Sequence, residues 1–219
     1  MPEGFHPPVE EYLEAIHELG EEGIVVIQAR LAERLGHSAP AVSEMIRRLR
    51  DDGYVAVRGR SLLLTDQGRS VAESVVRKHR LAERLLTDII GLPWDKAHVE
   101  AGRWEHVISD EVEALLVERL GHPTTCPHGN PIPGAGGERT DMAVLADRGL
   151  GDQVRLERVT ELVELDQKSL SYLSAHGFVP GTVATVTSLA PDGTMILSVG
   201  GGSIALGPTL AQQLFVTAA

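Results

Sequence analysis

Val9, Leu13, Ile16 and Leu19 recur at the spacing of one helix face and predict a first helix from about Pro8 to Leu19, ended by Gly20 and Gly23. The pattern returns in Gln28–Leu35 through Leu31, Ala32 and Leu35, and breaks at Gly36-His37. Ser38 then offers an N-cap, and Pro40 sits in a first turn where its missing N–H costs little. The helix they open carries Val42, Met45, Ile46 and Leu49 inward and stops at Asp52-Gly53. Tyr54–Val57 and Ser61–Leu64 read as two short strands joined by the basic turn Arg58-Gly59-Arg60. Thr65 can cap a long helix from Gly68 to about Ile90, and after Gly91-Leu92-Pro93 a second is predicted from about Asp95 to Leu120.

Two short helices, a tight turn and a basic hairpin follow the order of a winged helix-turn-helix. The long helices exceed what such a domain buries alone, which suggests a dimerisation element. Gly121–Gly137 then holds five Gly and four Pro in 17 residues, an irregular connector. From about Gly151 the apolar positions alternate (Val154, Leu156; Val183, Val186; Met195, Leu197, Val199), with a short helix near Ser169–Ala175; the expectation is a small β-barrel. The fold class is thus mainly α with a β C-terminal domain. The expected domains are 1–70 (winged helix-turn-helix), 71–125 (helical), 126–150 (connector) and 151–219 (β-barrel).

Composition sharpens this. With 42% hydrophobic and 23% charged residues in 219, the chain can build a core, which excludes general disorder. It shows no apolar run of membrane-spanning length and no basic, greasy leader in Met1–Glu11, and its single cysteine, Cys126, fits a reducing compartment. A cytoplasmic protein without a membrane partner is the expectation. The net charge of −11 argues against wholesale nucleic-acid binding, yet residues 27–60 carry seven Arg against four acids. That window is either a phosphate-contacting surface or a solvated arginine-rich helix face.

Metal-binding residue types gather around the long helices. His79 and Glu83 stand four apart; His98, Glu105 and His106, at i, i+7 and i+8, lie on one face of the second long helix; Glu11, Glu14 and Glu18 line the polar side of the first helix. Cys126-Pro127-His128 adds a thiolate and an imidazole from the connector. Nitrogen, carboxylate and one sulfur suit a first-row divalent ion better than a structural zinc site. Each pair taken singly also matches an ordinary surface pair.

The stretches Arg77–Leu86, Trp104–Glu111 and Gly129-Asn130-Pro131-Ile132-Pro133-Gly134 resemble the diphtheria toxin repressor family, and the resemblance runs the length of the chain. It implies a metal-activated transcriptional regulator, a homodimer that binds a double-stranded DNA operator, with an FeoA-like barrel at its C-terminus. Mn²⁺ or Fe²⁺ is the implied co-repressor, at two sites per subunit. The first site would draw on Glu11, Glu105, His106 and the residue at 102. The second would use His79 and Glu83 with His98, or Cys126 and His128 of a Cys-Pro-His loop. Asp166 would add a barrel oxygen, with Glu164 or Gln167 as alternatives. Position 102 departs from the pattern: Gly102 offers only its backbone carbonyl, where relatives carry Cys or Glu. Glu11, in place of a thioether, tilts the first site toward hard oxygen donors and manganese.

Base contacts are expected from Ser38, Pro40, Ala41, Ser43 and Glu44, and phosphate contacts from Arg47 and Arg60, with Arg48, Arg50 and Arg58 as further candidates unless Asp51 or Asp52 engages them. A regulator whose first site is altered through Gly102, or a metallohydrolase, are the alternatives. The latter lacks any His-Glu-x-x-His signature.

Overall fold

The computed structural model describes residues 8–136 and 141–219. The segment before Pro8, read above as lacking a leader, and the Gly137 end of the connector lie outside the described residues. The chain divides into two compact units, residues 1–79 with 102–113 and residues 80–101 with 114–219.

In the first unit, α1 (Pro8–Glu21), α2 (Gln28–Leu35) and α3 (Ala39–Asp51) precede a hairpin of β1 (Val55–Arg58) and β2 (Ser61–Leu64), after which α4 (Asp66–Arg84) begins. The helices arise where the apolar spacing places them. Gly36, at φ 65°, ends α2, and the Ser38 hydroxyl accepts from Ala41 N at 3.4 Å to start α3. The antiparallel hairpin pairs Val55 with Leu64 and Arg58 with Ser61. Thr65 caps α4 by accepting from Gly68 N at 3.1 Å. Tyr12, Leu13 and Ile16 of α1 share one core with Leu31, with Val42, Ile46 and Leu49 of α3, and with Leu62. Any force on α1 therefore reaches α3 through close-packed side chains.

The second long helix is not continuous. The chain makes a single 3₁₀ turn at Trp94–Lys96, a short α5 (Ala97–Ala101), a run of turns from Gly102 to Val107, and then α6 (Asp110–Arg119). Gly102 weakens the helix at its centre, and the Ser109 hydroxyl accepts from Val112 N at 3.3 Å, restarting the helix from a new N-cap. The α4 pattern likewise ends early: Leu85–Ile90 widen into a π turn closed by Gly91 at φ 80°.

In the second unit a six-stranded antiparallel sheet runs in the order β3-β8-β4-β5-β6-β7. Its strands are β3 (Ala143–Val144), β4 (Gln153–Val159), β5 (Val183–Leu189), β6 (Met195–Val199), β7 (Gly202–Leu206) and β8 (Leu214–Ala218). Between them lie α7 (Glu161–Glu164), α8 (Gln167–Ala175) and α9 (Pro208–Ala211). The expected closed barrel is an open sheet: among the described residues β3 and β7 are edges with no strand pairing between them. Val163 of α7 and Leu170 and Leu173 of α8 join Leu156, Val186 and Leu197 in one core, so helices cover the apolar face without the sheet closing on itself.

Candidate metal centres and nucleic-acid interface

In the first unit, Glu10 and Glu14 stand one helical turn apart on α1 and meet side chains from α4 and the Gly102–Val107 turns. His106 Nδ1 lies 2.7 Å from Glu10 Oε2, and His106 Nε2 lies 3.1 Å from Glu105 Oε1. The other Glu105 oxygen bonds His79 Nδ1. Donor atoms of Glu14, His79 and Glu105 lie within 4.8 Å of one another. Glu105 is buried, which alone would raise its carboxyl, but His79 and His106 outweigh that and pull it down to about 2. Burial lowers His106, yet Glu105, Glu10 and Glu14 hold it above its ordinary value.

Glu11, the expected ligand from α1, is not in this group; its charge bears instead on the Tyr12 phenol, which burial already raises. The i, i+4 spacing of Glu10 and Glu14 was the available signal. Gly102 opens the turns that deliver Glu105 and His106, so those two residues do not continue the helix of His98.

The second unit holds a denser group. Glu83, near the end of α4, is fully buried beside the connector loop that carries Cys126 and His128. Backbone bonds lock that loop: Cys126 N to Asn130 O at 2.8 Å, Gly129 N to Cys126 O at 3.0 Å, and Val159 N to His128 O at 3.0 Å. Arg84 donates to the Thr125 carbonyl at 2.7 Å and the Cys126 carbonyl at 3.1 Å, and Trp94 Nε1 donates to the Pro127 carbonyl at 2.9 Å. Asn130 Nδ2 bonds both the Val159 carbonyl and Glu164.

His128 Nδ1 lies 3.0 Å from Glu83 Oε1 and 3.1 Å from Glu164 Oε2. Donor atoms of Glu83, Cys126, His128 and Glu164 all fall within 4.8 Å of one another, and all four residues are buried. Burial, then Glu83 and Glu164, push the Cys126 thiol up to about 12. Burial would depress His128, but the same two carboxylates hold it well above its usual value.

Asp166 is not part of this group. It is the exposed N-cap of α8, accepting from Lys168 N at 3.2 Å and Ser169 Oγ at 2.6 Å, and the carboxylate that reaches His128 is Glu164. Gln167 donates to the Asp95 carbonyl at 2.7 Å. Glu161, which the sequence reading did not single out, lies 3.2 Å from His98 Nε2. Its signal was a pair of carboxylates three apart between Val159 and Leu165. Two buried carboxylates, an imidazole and a thiol whose charged form is otherwise disfavoured are a donor set that a divalent cation compensates; the first unit's carboxylates and imidazoles make a harder set.

On α3, Pro40, Ala41, Ser43, Glu44 and Arg47 are exposed, as is Ser38 at its cap. Arg34 pairs with Glu22 at 2.9 Å, Arg50 with Asp51 at 2.8 Å and Arg48 with Asp52 at 3.6 Å. Arg47, Arg58 and Arg60 have no ion pair among the described residues, and all three are exposed at the reading helix or the wing.

A winged helix-turn-helix joined to mixed His, Glu and Cys donor groups and a β domain defines a class: DNA-binding regulators with a built-in metal-binding segment. Comparison with known proteins agrees. Residues 5–63 match the iron dependent repressor N-terminal DNA binding domain, residues 65–134 the iron dependent repressor metal binding and dimerisation domain, and residues 144–218 the FeoA domain. The chain belongs to the iron-dependent repressor family. It is 42% identical over 219 residues to the iron-dependent repressor IdeR of Mycobacterium tuberculosis, covering 94% of this chain and 95% of that one. It is 45% identical over 217 residues to the diphtheria toxin repressor of Corynebacterium efficiens, covering 94% of each. A solved manganese-dependent transcriptional repressor in complex with manganese superposes with a TM-score of 0.86 at 32% identity, over 96% of this chain and 100% of that one.

Proposed function

We propose that this chain is a metal-activated transcriptional repressor of metal-homeostasis genes, working in the cytoplasm as a homodimer on a double-stranded DNA operator, with Mn²⁺ or Fe²⁺ as co-repressor. Its relatives are iron-dependent and manganese-dependent repressors, DNA-binding regulators and not enzymes, so the metallohydrolase alternative falls away. Among the described residues no helix is long and apolar enough to cross a membrane. The working division is residues 1–70 for DNA, 71–125 for metal and dimerisation, a connector from 126, and a β domain that begins at β3 (Ala143–Val144), inside the expected 126–150 connector, and runs to 219.

The observation that carries the proposal is the donor group of the first unit. It ties α1, whose apolar face shares a core with the reading helix α3, to α4 and to the turns bearing Glu105 and His106. Glu14, His79 and Glu105, with Glu10 and His106 beside them, would hold one cation; Glu83, Cys126, His128 and Glu164 would hold another. A bound divalent ion supplies a positive centre that carboxylates from different elements can share. Glu10 and Glu14 restrain α1, α1 restrains α3 through Leu13 and Ile16, and α3 presents Ala41 and Glu44 to base edges while Arg47, Arg58 and Arg60 contact phosphates. Because Glu10 and Glu14 bring carboxylates to the group, the missing side chain at Gly102 does not empty it. Its oxygen-rich character favours manganese.

Operator affinity measured by fluorescence anisotropy, with Mn²⁺ and again in chelator, tests this. Switching a 1:99 equilibrium to 99:1 takes about a 10⁴-fold difference in metal affinity between the two states. Equal operator affinity in both buffers would remove the proposal.

A further inference from the structure

His37 stands in the turn between α2 and α3, exposed, one residue before the Ser38 cap of the reading helix. Its backbone is held by the bond from His37 N to Ala32 O at 3.1 Å, just past Gly36 at φ 65°. Its ring is held from another element: the Tyr12 hydroxyl of α1 lies 2.9 Å from His37 Nδ1, with ring centroids 5.6 Å apart. Tyr12 is buried in the core that α1 shares with α3. Burial and the charge of Glu11 raise its phenol, so the hydroxyl keeps its proton. A phenol that donates to Nδ1 leaves a neutral imidazole with its single hydrogen on Nε2. Among the described residues that Nε2 meets no hydrogen-bond partner.

We propose that His37 is a phosphate contact of the DNA interface and that Tyr12 is the positioning residue that sets its Nε2–H as the donor. A reading helix enters the major groove N-terminus first, so a side chain just ahead of its cap stands at the phosphate rim of that groove. The arginines nearest this turn are engaged elsewhere: Arg34 pairs with Glu22 at 2.9 Å and Glu18 at 3.5 Å, and Arg30 donates to the Val25 carbonyl at 2.5 Å. An exposed imidazole with a fixed Nε2–H is left to serve an oxygen there. The origin of the tie matters as well. Successive helical residues turn by about 100°, so Tyr12, two positions from both Glu10 and Glu14, faces away from the donor group those carboxylates join. Helix α1 thus carries the proposed cation's carboxylates on one side and the hydroxyl that orients His37 on the other. Its restraint reaches DNA by a directed hydrogen bond as well as by packing.

The inference rests on the proposed function, and the readouts separate the two. Fluorescence anisotropy of the full-length protein in Mn²⁺, with operator and with an unrelated duplex across a range of salt, reads the contact. His37 is exposed, so its variants leave the core untouched. His37→Ala should weaken both duplexes alike by about tenfold, the scale of one lost hydrogen bond to a charged oxygen. The slope of log affinity against log salt should stay as it was, because a neutral donor displaces no counterion, whereas loss of an arginine lowers it. His37→Gln returns an N–H near the Nε2 position and should recover the affinity. Tyr12→Phe, which removes only the hydroxyl, should cost ~3-fold in the unaltered protein and nothing further in the His37→Gln protein. NMR of histidine-labelled, metal-free protein should find the Nε2–H tautomer at His37 and a mixture of tautomers in Tyr12→Phe, the signals being assigned by their loss in His37→Ala. A hydrogen on Nδ1 in the unaltered protein, full affinity in His37→Ala, or a loss confined to the operator would overturn the inference and leave metal-dependent binding standing. Operator affinity that is equal in Mn²⁺ and in chelator would remove the proposed function instead.

Discussion

Gly129 is the position where one added methyl group should do most to the Cys126–His128 loop. Its φ is +89°, and a Cβ there would sit 1.9 Å from the Glu157 carbonyl oxygen and 2.8 Å from the Arg158 Cα. Both are backbone atoms of β4, so neither can swing aside; the loop or the strand must move by more than about 1 Å to restore van der Waals spacing. Such a move breaks the Val159 N to His128 O bond and draws Asn130 from Glu164. The left-handed conformation costs an alanine about 1–2 kcal/mol. Each buried polar group left without its partner adds about 1–3 kcal/mol. Gly129→Ala should therefore destabilise the second unit by ~3–5 kcal/mol. Mn²⁺ affinity there should fall about 10–100-fold, the usual effect of disturbing groups that support metal ligands. The control is Gly136→Ala in the same connector: φ is +73°, but none of the described residues lies within 4 Å of the added carbon. It should cost only the conformational part, about 1–2 kcal/mol, and leave metal binding intact. Thermal unfolding by circular dichroism and manganese titration read both quantities. If the two variants melt together and bind alike, the close approach of loop to β4 does not hold the donors in place, and the reasoning fails.

Three further outcomes follow from the same geometry. Glu14→Gln should weaken manganese binding in the first unit by tenfold or more while Glu11→Gln changes it little, as read by calorimetric titration; the reverse order would return the α1 ligand to Glu11. Arg60→Ala and Arg47→Ala should weaken all DNA sequences alike and each lower the slope of log affinity against log salt by about 1, whereas Arg50→Ala, already paired with Asp51, should lower it less. The Glu105 carboxyl is lowered from 4.5 to about 2 in the folded metal-free protein, against burial, by His79 and His106. A depressed carboxylate stabilises the fold above its unfolded value and loses that contribution as pH falls toward about 2. Glu105→Gln should therefore flatten acid unfolding between those limits, and an unchanged acid limb would show that the pairing contributes nothing.

The helices of the first unit were legible because apolar spacing and local stop signals agreed: Leu31 and Leu35 with Gly36 for α2, Ser38 and Pro40 with Val42 for α3. The break between α5 and α6 had signals of its own, Gly102 and the Ser109-Asp110 cap, but the apolar pattern on either side bridges them, and periodicity over a long window averages a turn away. Strand alternation in the β domain announces which residues face the core; whether the sheet closes depends on its two edge strands meeting, and no single strand encodes that. Which donors come together was legible where a motif carries them: Cys126 and His128 of the Cys-Pro-His loop share one donor group, and His79 joins another. Asp166 stands apart from the donor group because α7 ends at Glu164, and two residues further on the chain has already turned to start α8. Glu164 is buried against Asn130, and Asp166 turns outward to cap α8.

The indole of Trp94 stands with its ring centroid 4.7 Å from that of His128, fastened to the Pro127 carbonyl, while Trp104 immediately precedes Glu105 in the other unit. The chain has only these two tryptophans. Each proposed metal centre would therefore have a native fluorophore in its own unit, and a paramagnetic ion bound beside His128 should quench Trp94. Substituting Trp94 or Trp104 by Phe would turn the protein into a pair of single-colour meters, able to say in which order its centres fill without any label being attached.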